Sequence, residues 1–135
     1  MQAETISTRC AMNFHHPDGS RAAMEATFEF SSADPFAVSA TFHSGDMDID
    51  WVFARDLLVE GMQKTSGIGD VVISPIEFGS DPRLQLVLRS PQGEAVLSAK
   101  REDVELFLMQ TYQVVPLEEE SRFLNVAGAL AAILG

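Results

Sequence analysis

The sequence predicts an α+β domain of antiparallel sheets with helices packed on them. Three observations carry that reading. Apolar and polar residues alternate at period two through most of residues 6–53 and again between residues 71 and 99. Short turn signals ("HPDG", "SGD", "GSDP", "SPQG") separate these runs at hairpin spacing. The period becomes helical at two places, after Phe53 and near Arg101. Runs of strands joined by hairpin-length turns and broken by helices argue for antiparallel pairing.

The elements follow in order. Ile6, Thr8, Cys10, Met12 and Phe14 form one face of a first strand. "HPDG", His16 to Gly19, turns the chain because Pro presets φ and Gly accepts the awkward end. Met24, Ala26, Phe28 and Phe30 alternate with Glu25, Thr27, Glu29 and Ser31 in a half-buried second strand. After "SSADP", Phe36, Val38, Ala40 and Phe42 give a third. Met47, Ile49 and Trp51, set against Asp48 and Asp50, give a fourth with a strongly polar outer face. Ala54, Leu57, Leu58, Gly61 and Met62 then fall on one side of a helix, and "TSGIGD" ends it.

Val71 to Phe78 reads as a fifth strand, which Pro75 confines to an edge or a bulge. Leu84, Leu86 and Leu88 mark a sixth, and Glu94 to Ala99 a short seventh. A second helix begins near Arg101, with Glu102 and Asp103 in the first turn, where the macrodipole favours negative charge. Its buried stripe is Val104, Phe107, Leu108, Thr111 and Val115, and Pro116 stops it. Glu118 to Glu120 reads as a solvated connection. Asn125 is placed to cap a last short helix, Val126 to Leu134, which is apolar on nearly every side. Such a helix must be buried all round or covered by another chain, and this is the sequence's main hint of self-association.

Composition narrows the function. The 135 residues, 46% of them hydrophobic, suit one folded domain spanning residues 1–135. The net charge of −11 opposes binding to phosphate backbones and anionic lipid, and no Lys/Arg cluster interrupts it. Nucleic acid is therefore not the expected partner. Neither a signal peptide nor a run of the roughly 20 apolar residues that cross a bilayer is visible, so a cytoplasmic protein without direct membrane insertion is expected.

Chemistry is sparse. His15 and His16 are adjacent on a strand and point to opposite faces, so they do not chelate one ion together. Asp46, Asp48 and Asp50 lack the Gly turn and the bidentate Glu of a calcium loop and read as a solvated face. The single cysteine, Cys10, lies on the apolar face of its strand, where a thiol behaves as a small hydrophobe. "GIGD" lacks the third glycine of a dinucleotide loop. No catalytic residue, cofactor site or metal site is expected. Arg55 and Asp56 read either as structural ion pairs or as an exposed recognition pair. Trp51 and Phe53 read as core, or as interface anchors.

The stretch Asp34 to Pro75 resembles the SsgA-like sporulation and cell-division proteins of actinomycetes. "WVFARDLL", "GIGDVVISP" and "SPQGEA" are its most specific parts, and the likeness continues into "RFLNVAGALAAIL". Within the family the chain is most similar to the SsgB-like branch. That resemblance implies a non-enzymatic protein that recruits the tubulin-like division protein FtsZ to future septum sites, in concert with an SsgA-type partner. It also implies two antiparallel sheets with helices in the whirly-like topology of single-stranded nucleic-acid-binding proteins, in the order ββββ-α-βββ(β)-α, assembled as a homotrimer. The bracketed strand is expected around Ser121 to Leu124. A whirly-like fold leaves a nucleic-acid-binding function as the alternative, which the acidic charge opposes. The residues expected at a subunit or partner interface are Trp51, Leu58, Met62, Val126, Leu130, Ile133 and Leu134, with Leu57, Leu58 and Met62 laying a helix over the first sheet or across a subunit boundary.

Overall fold

The computed structural model describes residues 3–123. Strands β1 (Thr5–His15), β2 (Arg21–Ser31), β3 (Asp34–Ser44) and β4 (Met47–Ala54) lead into helix α1 (Arg55–Gly61). Strands β5 (Val71–Phe78), β6 (Asp81–Ser90) and β7 (Gly93–Lys100) lead into helix α2 (Arg101–Val114), and a 3-10 turn follows at Glu120–Phe123. The alternation that predicts the strands is what they bury. In β3, for example, Phe36 apart, Val38, Ala40 and Phe42 are buried on one side. Tight hairpins join them. Ser44 faces Met47 and Phe78 faces Asp81, leaving two-residue loops led by Gly45 and Gly79, each at positive φ. A type II′ turn requires glycine at that first position.

All seven strands form one antiparallel sheet in the order β4-β3-β2-β1-β7-β6-β5. This corrects the expectation of two separate sheets. The reason lies in β1, which pairs with β2 from Thr5 to His15 but with β7 only from Met12 to His15. At Lys100 the chain leaves β7 and enters α2, which contacts β1 from the sheet face. There the Thr8 hydroxyl donates to Gln110 Oε1 at 2.9 Å. One sheet with a short seam thus carries two lobes, β1–β4 and β5–β7. Pro75 sits on β5, an edge strand of the sheet, as its missing N–H demands.

Both helices pack on one face of this sheet. Phe28, Val38, Ala40 and Phe53 of the first lobe and Ile73, Leu84 and Leu97 of the second share that face. Val104, Phe107, Leu108 and Thr111 of α2 are buried against it, as the helical spacing predicts, with Phe107 5.5 Å from Phe28 between ring centroids. Helix α1 touches β3 and β4 and also β5, which lies at the opposite edge. The sheet is therefore curled until both edges meet one short helix. Gly61 permits that approach, because a Cβ there would run into the side chain of Ile73.

The strand expected around Ser121 to Leu124 is not formed across the described part of it, since Glu120–Phe123 is a 3-10 turn. Leu124, the capping residue Asn125 and the apolar run Val126 to Leu134 lie outside the described residues.

Candidate functional site

The stretch Trp51–Met62 joins the fourth strand to the first helix, and the structure divides its residues between a core joint and an open surface. Arg55 belongs to the joint. Its side chain is 0% exposed. Nη1 donates to the Val115 carbonyl at 2.6 Å, and Nη2 donates to Glu120 Oε1 at 2.9 Å in an ion pair. The guanidinium lies 4.8 Å from the Phe30 ring and 5.6 Å from the Tyr112 ring, within cation–π range of both. Arg55 Nε has no hydrogen-bond partner among the described residues. The Arg55 hydrogen bond holds the Glu120 carboxyl below the usual carboxylate range. Arg55 is thus the structural ion pair of the two sequence readings, not an exposed recognition residue. Glu120, expected in a solvated connection, is instead buried as its counter-charge. Asp56 stays exposed.

Leu58 is 0% and Met62 5% exposed. Both belong to the core of a single chain rather than to a surface a partner can reach, so the helix lies over the sheet of its own chain. Trp51 is different. It is half-buried and lies on the apolar face opposite Ala40, beyond the cover of both helices. Phe14, Met24, Phe42, Ile49, Trp51 and Leu97 line an open trough of about 610 Å³ there. Neither α1 nor α2 contributes to its wall. His16, His43 and Glu94 stand among its polar lining. Beyond it Ile49 is 43% and Met47 66% exposed, so the apolar face runs out to solvent at the edge strand. Val126, Leu130, Ile133 and Leu134 lie outside the described residues.

The opposite face of β3–β4 is polar. The Thr41 hydroxyl donates to Asp50 at 2.7 Å, and His43 bridges Asp48 at 2.8 Å and Thr27 at 2.8 Å. Asp46 sits in the hairpin turn rather than on the strand. No cluster of three or more metal-ligating side chains occurs among the described residues. The aspartates form the solvated face that their spacing predicts.

One buried polar network escaped the sequence reading. Arg83 Nε donates to Ser98 Oγ at 2.9 Å, which leaves the hydroxyl proton to point at His15 Nε2, 2.7 Å away. Phe78 stacks on His15 at 5.3 Å and closes the group. Burial pushes the His15 pKa down, helped by the charges of Arg21 and Arg83. A neutral imidazole suits acceptance of that proton. Ser98 is 0% exposed, so this pair ties strands β1, β6 and β7 together rather than offering a nucleophile. Nothing local marks Arg83 or Ser98 in the sequence, since each alternates onto the side of its strand that reads as outer. Cys10 is buried, and burial pushes its thiol up to about 11, which matches the reading of an inert small hydrophobe.

These features define a class: a curled antiparallel sheet that offers an open apolar trough beside an acidic face. Comparison with known proteins gives the family. Residues 24–120 match the family model described as Streptomyces sporulation and cell division protein, SsgA. The chain belongs to this family. It is 41% identical over 110 residues to the sporulation-specific cell division protein SsgB of Streptomyces coelicolor, covering 81% of this chain and 80% of that one. It is 35% identical over 128 residues to the SsgB of Thermobifida fusca, covering 94% and 93%. Its structure is similar to that of SsgB from Streptomyces coelicolor, with a TM-score of 0.86 at 36% identity over 90% of this chain and 96% of the other. It is likewise similar to the SsgA-like sporulation-specific cell division protein of Thermobifida fusca, with a TM-score of 0.88 at 32% identity over 96% of each. The resemblance read from the motifs to the SsgB-like branch is thereby borne out. No helix among the described residues is long and apolar enough to cross a membrane.

Proposed function

We propose that this chain is a non-enzymatic regulator of sporulation-specific cell division. It works as a self-assembling scaffold of whirly-like design that recruits or positions FtsZ at septum sites in the cytoplasm, alongside an SsgA-type partner. The observation that carries this reading is the open trough lined by Trp51, Ile49 and Phe42, to whose wall neither α1 nor α2 contributes. Exposed contiguous apolar surface with a polar rim is the usual mark of a protein-docking site. A homotrimer is the assembly proposed.

The electrostatics support protein partners over nucleic acid. Arg9, Arg55, Arg83, Arg89 and Arg101 are each held in an ion pair with a carboxylate. Each pairing weakens the cation's pull on a phosphate. The lone tyrosine leans over Arg55, which takes its ring face away from stacking on a base.

The test is co-sedimentation with polymerised FtsZ, with and without an SsgA-type protein. The chain is expected in the pellet in at least one of the two mixtures, and its absence from both overturns the reading. Tight, salt-sensitive retention of single-stranded DNA on a filter would favour the nucleic-acid alternative instead.

A further inference from the structure

We infer that the free edge of β4 takes an extended, cationic segment of a partner protein as an added antiparallel strand. This rests on the docking role proposed above and gives it a surface and a partner chemistry. The sheet has two edges, and only one is guarded. At β5, Ser66 exchanges two backbone hydrogen bonds with Ile73, at 2.8 and 2.9 Å. Pro75, two residues further on, turns to the same side and has no N–H to offer. Nothing comparable stands at β4. Its sequence, MDIDWVFA, holds no proline or lysine, and it pairs with β3 from Met47 to Ala54 without a bulge. The hairpin fixes which of its groups are free. A two-residue loop makes Ser44 and Met47 a pair that exchanges both hydrogen bonds, and alternation gives Ile49, Trp51 and Phe53 the same role. The N–H and C=O groups of Asp48, Asp50 and Val52 therefore point away from β3. Among the described residues no backbone group pairs with them. All three residues are exposed, Val52 at 63%. An edge of this kind is a template for one more strand.

Charge selects the occupant. Directly opposite residues of an antiparallel pair share a face, so every second side chain of an added strand lies beside Asp48 and Asp50. Each carboxylate bonds inward through Oδ1 alone among the described residues, Asp50 to the Thr41 hydroxyl and Asp48 to the His43 ring. The row that starts at Asp50 continues through Thr41 and Thr27 to Arg9, three strands away, and Arg9 is itself paired with Glu25. A lysine or arginine on the added strand would thus be the nearest strong counter-charge. A second copy of this chain fits poorly. Paired antiparallel along Asp48–Val52, its Asp50 would face Asp50, and like charges directly opposite destabilise a sheet. The remaining side chains of the added strand fall beside Met47 and Ile49, 66% and 43% exposed. The segment that fits alternates Lys or Arg with apolar residues.

The experiment uses the full chain and a capped seven-residue peptide that alternates lysine and valine. Binding is expected, with the amides of Asp48, Asp50 and Val52 gaining protection from hydrogen exchange. In the added strand the lysine N–H groups face β4 and the valine N–H groups face solvent. Backbone N-methylation of the lysines should therefore weaken binding about tenfold or more, and N-methylation of the valines should leave it unchanged. The three peptides carry the same charge, so equal binding by all three would show attraction without strand addition and overturn the inference. Failure of the parent peptide to bind overturns it as well. Asp48→Lys combined with Asp50→Lys, checked for an unchanged melting temperature, should turn the preference to a peptide alternating glutamate and valine. A retained preference for lysine overturns the inference, and the methylated peptides on the unmodified chain decide the matter by themselves where that variant does not fold. A fall in scattered mass on adding the parent peptide would give the edge to a second copy and overturn the choice of partner. FtsZ pelleting is read separately on the unmodified chain. Pelleting without peptide binding sinks this inference alone, and peptide binding without pelleting sinks the recruiter reading alone.

Discussion

The two ends of the sheet's apolar face carry the same alternating pattern and meet different fates. At one end, Phe28, Phe30 and Val38 lie under α1, α2 and the turn that carries Glu120, and the cover is dense enough to bury an arginine completely. At the other, Ile49 and Trp51 line an open trough and stay partly exposed. Residue type does not separate the two ends. What differs is helix length: α1 has only seven residues, and α2 runs beside β1, so neither reaches the far end. In this fold the covered end supplies stability and the uncovered end supplies surface.

Substitutions sharpen that contrast, with the largest effect expected at the covered end. Leu58→Asp removes about 1.5–3 kcal/mol of side-chain burial and leaves an unpaired charge in the core. The sum rivals the whole stability of a domain of this size, so no soluble folded protein is expected on expression. A Leu58→Asp chain with a normal melting curve would break the comparison.

Breaking the buried ion pair comes next. Glu120→Gln leaves Arg55 charged and fully buried, and removing one partner of such a pair costs about 3–5 kcal/mol, read as a drop in the urea midpoint at neutral pH. The pH dependence has a definite sign. The folded-state pKa of Glu120 is lowered by the Arg55 hydrogen bond. Its contribution is therefore full above the ordinary carboxylate range and is lost as the pH falls through the lowered value. The stability gap between the unmodified chain and Glu120→Gln should narrow in acid, and a gap that holds constant down to acid unfolding would deny Glu120 this role. Gly61→Ala sits lower on the scale. Its methyl group would overlap Ile73, and overpacking of this kind costs about 1–3 kcal/mol by thermal or urea unfolding.

The smallest stability effect belongs to the open end. Ile49→Glu lies on an edge strand at a half-exposed site, where substitutions stay within about 0.5 kcal/mol. Its effect is expected in assembly rather than in folding.

Much of the covered end is legible in the sequence because its signals are local. Period two places Phe28, Val38, Ala40 and Phe53 on one face. Helical spacing finds the stripe of α2 and, in α1, Leu58 and Gly61. Pro75 announces an edge strand. What escapes is non-local. The pairing of β1 with β7 joins residues more than eighty positions apart, and a seam of four residue pairs turns the expected two sheets into one. Arg55 beside Asp56 looks like a surface pair, since its true partner lies 65 positions downstream in a run of three glutamates that reads as solvent-exposed. Trp51 shows the limit most plainly. Alternation fixes the face it occupies, but whether that face is covered depends on where two helices end in space. The same blindness applies to Ser98 and Arg83, whose outer-facing register gives no warning that they join His15, on which Phe78 stacks.

The account turns on the open end being a working surface, and mass by light scattering tests it most directly. The unmodified chain is expected to scatter as a multiple of 14.7 kDa, and Ile49→Glu as a smaller species with an unchanged melting temperature. A single-chain mass for the unmodified protein at every concentration, or full assembly retained by Ile49→Glu, would contradict it.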